Sequence, residues 1–251
     1  MDKKTMILAL VVCVFGFVIF IMLAFRVLGG GHSNKGVLPD GQSVQYSAVT
    51  GSDSVESNSG TQPTQSPPKS NSEMVRVRDY APEIRVSLRY AGKKNMTGRR
   101  LYDYNDAYLR YGTVKKLIRA QKQLEKYGVG LEIWDAYRTV DAQKKLWEVC
   151  PNAAYVSDPS KGYSSHTRGS AVDVTLVDAD GTEMVMPTGF DNLTKLADRD
   201  YSDIDDEFAR ENAKLLEKTM RSCGFTPYKE EWWHFTDKDN YDVLKDFVPP
   251  Q

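Results

Sequence analysis

Hydrophobic residues follow three different patterns along the chain. Residues 6–25 form an uninterrupted apolar run without a charged side chain. Residues 26–73 are rich in Ser, Gly, Gln, Pro and Asn, with few large apolar residues. From residue 74 onward, apolar positions alternate with polar ones or recur at helical spacing, which is typical of a folded domain. We therefore predict a membrane segment at 6–25, a flexible linker at 26–73 and one globular domain at 74–251.

The apolar run is long enough to cross a bilayer, because a helix of its 20 residues spans roughly 30 Å. Lys3 and Lys4 precede it, which favours residues 1–5 in the cytoplasm and the domain outside the cell membrane. A cleaved signal peptide is the alternative. Its apolar core is normally shorter and followed by an A-x-A-like site, which "LAFRVLGGG" does not offer well. We expect a retained single-pass anchor and an extracytoplasmic domain.

Three segments of the domain have the spacing of amphipathic helices: 113–128, 139–149 and 203–224. The first is expected to end at Gly128 and the third at Gly224, since glycine commonly terminates helices. The residues predicted to face inward are Val114, Leu117, Ile118, Gln121 and Leu124 in the first helix, and Phe208, Leu215, Leu216 and Met220 in the third.

Other segments have the alternation of β-strands. Residues 129–138 predict a strand that runs into a turn, and residues 225–237 predict a final strand. Residues 170–186 predict a β-hairpin whose arms join at Asp180 and Gly181. Together with the helices, these strands indicate a single α+β domain with a central antiparallel sheet flanked by helices.

Composition excludes some functions. The formal net charge of −1 shows no basic excess, so nucleic acid is not an expected partner. Cys13 lies in the apolar run, which leaves Cys150 and Cys223 in the domain, without a CxxC pair or a thiolate zinc site. Two buried thiols are the simplest interpretation, and a disulfide is the alternative for an exported domain.

The chain has only three histidines, and two of them lie in unusual surroundings. His166 lies in "GYSSHTRGSAVDV", seven residues before Asp173, and His234 closes "EEWWHF". Asp173 interrupts an apolar strand, where a carboxylate is costly to bury without a partner. Two imidazoles and one carboxylate suit a single Zn²⁺ with a fourth position left for water. Glu231, three residues before His234, is a candidate base for that water.

These residues form a larger pattern that resembles the VanX-type zinc D-alanyl-D-alanine dipeptidases of the metallo-D,D-peptidase family M15. The family signature, S-x-H-x-x-G-x-A-x-D followed by E-x-x-H, matches residues 164–173 and 231–234. The segments "LRYA", "NMTG", "WDAYR" and "PTGFD" are also similar to the dipeptidases and occur in the same order. The resemblance covers roughly residues 74–240.

The resemblance implies a role for each matching residue. His166, Asp173 and His234 would bind one zinc ion. Glu231 would act as general base and then as proton donor to the leaving amine. Arg138 would polarise the scissile carbonyl and stabilise the oxyanion, a task that suits a permanently charged guanidinium. Further substrate-binding positions are Asp191, which would receive the substrate ammonium, Tyr90 and Ser164.

Each of these residues also has a simpler interpretation. Arg138 could form a salt bridge with Asp135 or Asp141. Asp191, Tyr90 and Ser164 could be a helix cap, a core tyrosine and a turn serine.

The first functional hypothesis is zinc-dependent hydrolysis of D-alanyl-D-alanine to D-alanine in cell-wall peptide metabolism. The second is a D,D-carboxypeptidase that trims peptidoglycan stem peptides, and the third is a non-catalytic wall-binding module on the same fold. The chain departs in two features from the family that it resembles. Family members are commonly cytoplasmic, whereas this chain carries a predicted anchor, and Thr139 stands where a proline often follows the arginine.

Overall fold

The computed structural model describes residue 68 and residues 70–250. The predicted membrane segment at 6–25 and nearly all of the predicted linker lie outside this part of the chain. Within the described residues, no helix combines the length and the apolar character needed to span a membrane.

The described residues form one α+β unit of seven strands and three α-helices, with short 3-10 turns between them. The strands are β1 (Met74–Arg76), β2 (Arg85–Val86), β3 (Tyr108–Arg110), β4 (Val129–Asp135), β5 (Ala171–Asp178), β6 (Phe225–Pro227) and β7 (His234–Asp237). The helices are α1 (Tyr111–Leu124), α2 (Val140–Val149) and α3 (Glu207–Ser222). The predicted class of fold is confirmed.

The main sheet has five strands in the order β2-β4-β5-β7-β6, and β1 pairs separately with β3. Strands β4 and β5 lie near its centre, and nearly all their residues are buried, because their sequences are apolar on both faces. All pairs in the sheet are antiparallel except β2 with β4. The prediction of a purely antiparallel sheet was therefore wrong at this edge. The long connection through α1 allows β4 to return parallel to β2.

The first two predicted helices are confirmed, and α1 packs against β4 and α3. The chain leaves α1 through a 3-10 turn that ends at Gly128, whose φ of 71° is unfavourable for other residues. Gly224 follows α3 with a φ of 98°. Leu216 and Met220 are buried as predicted, but Phe208 is 39 % exposed. Phe208 lies in the first turn of α3, next to the buried Ala209, so it points away from the core.

Two of the strand predictions need correction. The hairpin at 170–186 has a full first arm, β5, but its second arm is reduced to one bridge between Val177 and Glu183. The predicted final strand is two strands, β6 and β7, which pair with each other as a hairpin. The chain reverses between Pro227 and His234, where one lysine, two glutamates and two tryptophans interrupt the alternation.

Both cysteines of the domain are free thiols in this structure. Cys223 is buried, as the simpler interpretation predicted, and its Sγ accepts a hydrogen bond from Gln123 Nε2 at 3.3 Å. Cys150 is only partly buried.

Candidate active site

Strand register brings one predicted metal ligand from each of two neighbouring strands together. Asp173 of β5 pairs with His234 of β7 on one side and with Asp135 of β4 on the other. The ladder between β4 and β5 shifts register between Ile133 and Asp135. Three polar residues therefore form a row across the end of an otherwise apolar sheet.

His166 reaches this row from a 3-10 turn that precedes β5. The turn is fixed at its start by Ser164, whose Oγ accepts a hydrogen bond from the His166 N–H at 3.2 Å. At its end, Gly169 has a φ of 69°, and a Cβ there would lie 2.7 Å from the Met74 sulfur. The His166 carbonyl accepts a hydrogen bond from the Arg138 backbone N–H at 3.2 Å, which ties the turn to β4.

The structure brings all three predicted metal ligands together. His234 Nδ1 lies 2.9 Å from Asp173 Oδ1 and 3.2 Å from His166 Nε2. His166 Nε2 lies 3.5 Å from Asp173 Oδ1. All three ligand atoms lie within 4.8 Å of one another, as they must to share one ion.

The surroundings of the two imidazoles direct their free nitrogens to the same point. His166 Nδ1 lies 2.7 Å from the Ala136 carbonyl oxygen. A carbonyl oxygen can only accept a hydrogen bond, so Nδ1 must be the donor. That contact assigns the proton to Nδ1 and leaves a lone pair on Nε2. His234 Nε2 lies 3.1 Å from the Thr236 hydroxyl, so its Nδ1 is presented to the same point. Two nitrogens and one carboxylate oxygen in this arrangement fit a zinc ion with an open position.

Asp173 is held ionised despite its burial. Burial opposes its charge, but the neighbouring imidazoles of His166 and His234 keep the pKa of Asp173 below its ordinary value. His166 is also buried, and here the Asp173 and Asp135 carboxylates raise its pKa above the ordinary value. Burial lowers the pKa of His234. The centre is an anionic carboxylate between two imidazoles, which favours a bound cation.

Glu231 lies beside the three ligands, with Oε2 3.8 Å from His234 Nδ1. Its side chain is nearly buried, and Trp232 and Trp233 next to it are each 1 % exposed. Burial, followed by the negative charges of Asp173 and Asp191, raises the pKa of Glu231 well above its usual range. A carboxyl group with a raised pKa next to a metal position is a candidate for a base that accepts a proton and later returns it.

Arg138 follows β4 and is 6 % exposed. It does form the predicted salt bridge with Asp135, in which Arg138 Nε donates to Asp135 Oδ2 at 3.2 Å. Its Nη1 donates to Gln143 Oε1 at 3.0 Å. Its Nη2 also donates to Asp135 Oδ2, which leaves one N–H on each terminal nitrogen without a hydrogen-bond partner among the described residues. The simpler interpretation and the functional one are therefore compatible, because Asp135 holds the guanidinium while two donors remain for another ligand.

Asp191 and Tyr90 form another part of the site. Tyr90 Oη donates to Asp191 Oδ1 at 3.1 Å, and the Met96 backbone N–H donates to Oδ2 at 2.9 Å. Burial raises the pKa of Asp191 to about 7, and the charge of Asp173 adds to the effect. Asp191 lies in a turn with a φ of 58°, so it is no helix cap.

All eight residues singled out from the sequence line one cavity of about 350 Å³. They are His166, Asp173, His234, Glu231, Arg138, Asp191, Tyr90 and Ser164. Its volume is at the small end for ligand sites. One side of the cavity is closed by the irregular segment that follows α2, through Ala153, Tyr155, Val156 and Ser157.

The sequence indicated Asp135 but not two further residues that support Arg138. Tyr102 Oη donates to Asp135 Oδ1 at 2.6 Å and fixes the carboxylate that holds Arg138. Gln143 accepts from Arg138 and donates to the Ser157 carbonyl at 2.9 Å, which joins the arginine to the segment covering the cavity. Tyr102 lies 33 residues before Asp135, and Gln143 lies near the start of α2. Neither position belongs to a spacing pattern that would have identified it from the sequence.

A His-Asp-His cluster with an adjacent carboxyl group and a free guanidinium edge, all in one small cavity, defines a metallopeptidase active site. The comparisons with known proteins agree with this class. The chain belongs to the peptidase family M15, since the family model described as D-ala-D-ala dipeptidase matches residues 70–249.

Curated relatives carry the same description. The D-alanyl-D-alanine dipeptidase of Escherichia coli K12 is 34 % identical over 184 residues, which cover 71 % of this chain and 94 % of the relative. The D-alanyl-D-alanine dipeptidase of Enterococcus faecium is 31 % identical over 176 residues, covering 62 % of this chain and 87 % of the relative. The Streptomyces coelicolor protein of the same name is 32 % identical over 188 residues, covering 65 % and 90 %. The chain is thus an enzyme of the dipeptidase group.

Proposed function

We propose that this enzyme hydrolyses D-alanyl-D-alanine to two D-alanine molecules with one zinc ion, in the metabolism of cell-wall peptides. The observation that carries the proposal is the convergence of a metal cluster, a base, a free guanidinium edge and an ammonium acceptor on one small cavity. The names of the relatives supply the substrate.

The surroundings of Asp191 distinguish a dipeptide from a longer peptide. Asp191 is a buried carboxylate braced by Tyr90 and the Met96 N–H, so it can bind the free ammonium group of a short substrate. An N-acylated substrate has no positive charge to place there and would cover the Asp191 carboxylate without a counter-charge. The substrate would therefore have one residue on the amino side of its scissile bond.

The residues of this chain can carry out hydrolysis in two proton transfers. When bound by His166, Asp173 and His234, zinc would lower the pKa of water and polarise the scissile carbonyl. Glu231 accepts a proton from the attacking water while the water oxygen forms a bond to the carbonyl carbon. The two free N–H groups of Arg138 stabilise the negative charge that develops on the carbonyl oxygen.

Collapse of the tetrahedral species breaks the C–N bond, and Glu231 returns its proton to the leaving amine. Two D-alanine molecules result, and the enzyme regains its starting protonation. The raised pKa of Glu231 suits both transfers, because the group must hold the proton between them.

Zinc content and substrate length together test this proposal. We expect the purified full-length chain to bind one zinc ion and to hydrolyse D-Ala-D-Ala, with N-acetyl-D-Ala-D-Ala and a pentapeptide ending in D-Ala-D-Ala left intact. Preference for the pentapeptide would support a D,D-carboxypeptidase instead. Neither zinc binding nor hydrolysis would leave a wall-binding module.

We also propose that residues 6–25 anchor the enzyme in the cell membrane, with residues 26–73 as linker and the catalytic domain outside. The support is the length and lack of charge of the apolar run and the lysines before it. Intact cells should expose the domain to added protease, and alkaline carbonate should not release the chain from membranes. A soluble product that lacks residues 1–25 would instead indicate a cleaved signal peptide.

A further inference from the structure

A second buried arginine supports the active site from behind. We infer that Arg199 is a positioning residue that fixes the base Glu231 and the ligand His234 relative to each other. The inference rests on the proposed function, because the distance between these two side chains matters only if one is the base and the other a metal ligand. Neither the sequence pattern nor the family signature indicated Arg199.

Arg199 holds the segment that joins β6 to β7 through three backbone carbonyls. Its Nη2 donates to the carbonyl oxygens of Glu231 and His234, each at 3.0 Å. Its Nε donates to the Tyr228 carbonyl at 2.7 Å. One terminal nitrogen therefore bridges the backbone of the proposed base and that of a metal ligand.

The remaining donors of Arg199 are used on the other side of the guanidinium. Nη1 donates to Glu217 Oε2 at 3.0 Å and to Tyr201 Oη at 3.1 Å. Tyr201 Oη in turn donates to Glu217 Oε2 at 2.8 Å. All five N–H groups of Arg199 thus have partners, and the ion pair with Glu217 ties the segment to α3.

Packing restricts the guanidinium further. The Arg199 side chain is 8 % exposed, and its central carbon lies 4.5 Å from the centre of the Phe235 ring. Phe235 is the residue after His234 and is fully buried. Both the carbonyl and the following side chain of the ligand position are therefore held by the same arginine.

The segment needs such support because it is irregular. The residues between β6 and β7 belong to no strand or helix, although several of their backbone groups are hydrogen-bonded, among them His234 N–H to the Glu231 carbonyl at 3.2 Å. Loops are normally less precise than sheets as a place for reacting groups. A planar guanidinium can bond several carbonyls in fixed directions, whereas a lysine ammonium cannot reproduce the fork.

Arg199 does not line the cavity, so it acts only through the residues it holds. Its loss should affect two properties at once. Zinc affinity depends on where His234 is presented, and turnover at saturating zinc depends on where Glu231 is presented. Substrate binding by Asp191 and Tyr90, which Arg199 does not contact, should change little.

The test is Arg199→Lys in the full-length chain, with zinc affinity measured by chelator competition and kinetics measured on D-Ala-D-Ala at saturating zinc. We expect about 10–100-fold weaker zinc binding and about 10-fold or greater loss of kcat, with KM within about two-fold. Glu217→Gln, which leaves the arginine in place and removes its counter-charge, should have the same effects at smaller size.

The matched control is Arg210→Lys. Arg210 is also partly buried, its Nη1 donates to the Ile204 backbone carbonyl at 2.7 Å, and neither residue lines the active-site cavity. This variant loses an arginine–carbonyl bond away from the site and should leave zinc affinity and kcat near wild type.

The outcomes separate this inference from the proposed function. The inference is wrong if wild type binds zinc and hydrolyses the dipeptide but Arg199→Lys has the zinc affinity and kcat of wild type or of Arg210→Lys. Arg199 would then be only structural. If wild type itself neither binds zinc nor hydrolyses the dipeptide, the proposed function fails first. A change in KM alone would also overturn the positioning role.

Discussion

The two buried arginines next to the active site differ in how many of their donors the protein itself uses. Arg138, at the end of β4, is held by Asp135 and Gln143 and keeps one N–H on each terminal nitrogen without a partner among the described residues. Arg199, behind the β6–β7 connection, has all five N–H groups bonded to the protein.

This difference separates an arginine that can act on a substrate from one that shapes the protein. Both side chains are buried and both have a carboxylate partner, so burial and charge alone do not distinguish them. The number of unbonded N–H groups distinguishes them, because only such groups facing a cavity are available to a reacting carbonyl. Arg138 lines the cavity and Arg199 does not.

The largest loss of activity is expected on substitution of Glu231, whose backbone is held by Arg199 and whose side chain lines the same cavity as Arg138. We expect Glu231→Gln to lower kcat by about 10²–10⁴-fold, because the amide cannot accept the proton of water. One zinc ion should remain bound per chain. Glu230→Gln, next in sequence and partly exposed, is the control and should keep wild-type turnover. Comparable turnover in the two variants would remove Glu231 from the mechanism.

Arg138→Lys should lower kcat by about 10²–10³-fold, the usual cost of losing an oxyanion donor. Its zinc affinity should stay within about three-fold of wild type, since Arg138 bonds no side chain of the metal cluster. Kinetics and chelator competition on the same preparation would show this. The contrast with Arg199→Lys, which should lose zinc affinity, is the sharpest test of the comparison. Equal losses of zinc affinity in both variants would contradict it.

Asp191, which also lines the cavity, should show a conflict between stability and activity. In the folded chain its pKa is raised from the ordinary 3.8 to about 7, so folding disfavours its charge. The unfolded chain releases the proton at lower pH, which means that ionisation costs stability as the pH rises from about 4 toward about 7. Asp191→Asn removes this cost and tolerates the positive φ.

We therefore expect the Asp191→Asn chain, stripped of metal by chelation, to melt at a higher temperature than wild type at pH 8. The difference should shrink as the pH is lowered toward about 4. The same variant should lose about 10–100-fold in kcat/KM for D-Ala-D-Ala, because a charged hydrogen bond to the substrate is lost. A pH-independent difference in melting temperature would show that burial does not raise the Asp191 pKa.

The cap of α2 provides the smallest effect. Thr139 Oγ1 accepts a hydrogen bond from the Ala142 N–H at 3.2 Å and begins the helix directly after Arg138. Thr139→Ala should lower the free energy of unfolding by about 1 kcal/mol, measured by urea denaturation. kcat/KM should stay within about two-fold, because Asp135 and Gln143 still hold Arg138. A large loss of turnover would mean that the cap, and not these side chains, positions the arginine.

The parts that sequence reasoning predicted well are those with short-range signals. The periodicity of α1 and α2 and the glycine after each of α1 and α3 identified these elements, and the E-x-x-H and S-x-H-x-x-G-x-A-x-D segments identified the residues that the structure brings together. The roles of those residues remain predictions, and so does the membrane segment expected at 6–25, which lies outside the described residues.

The parts that were missed depend on contacts between distant segments. Nothing in the sequence near Arg199 shows that its guanidinium reaches the Glu231 carbonyl, 32 residues later. The parallel pairing of β2 depends on the path of α1, and the outward direction of Phe208 depends on how α3 turns against the sheet. Local periodicity cannot fix either of these.

The central claim is that His166, Asp173 and His234 share one divalent cation. Anomalous diffraction at the zinc absorption edge, on crystals grown with equimolar zinc, tests it most directly. We expect one strong anomalous peak about 2.0–2.2 Å from His166 Nε2, Asp173 Oδ1 and His234 Nδ1. A fully titrated crystal with its zinc bound elsewhere, or with these three side chains turned apart, would contradict it.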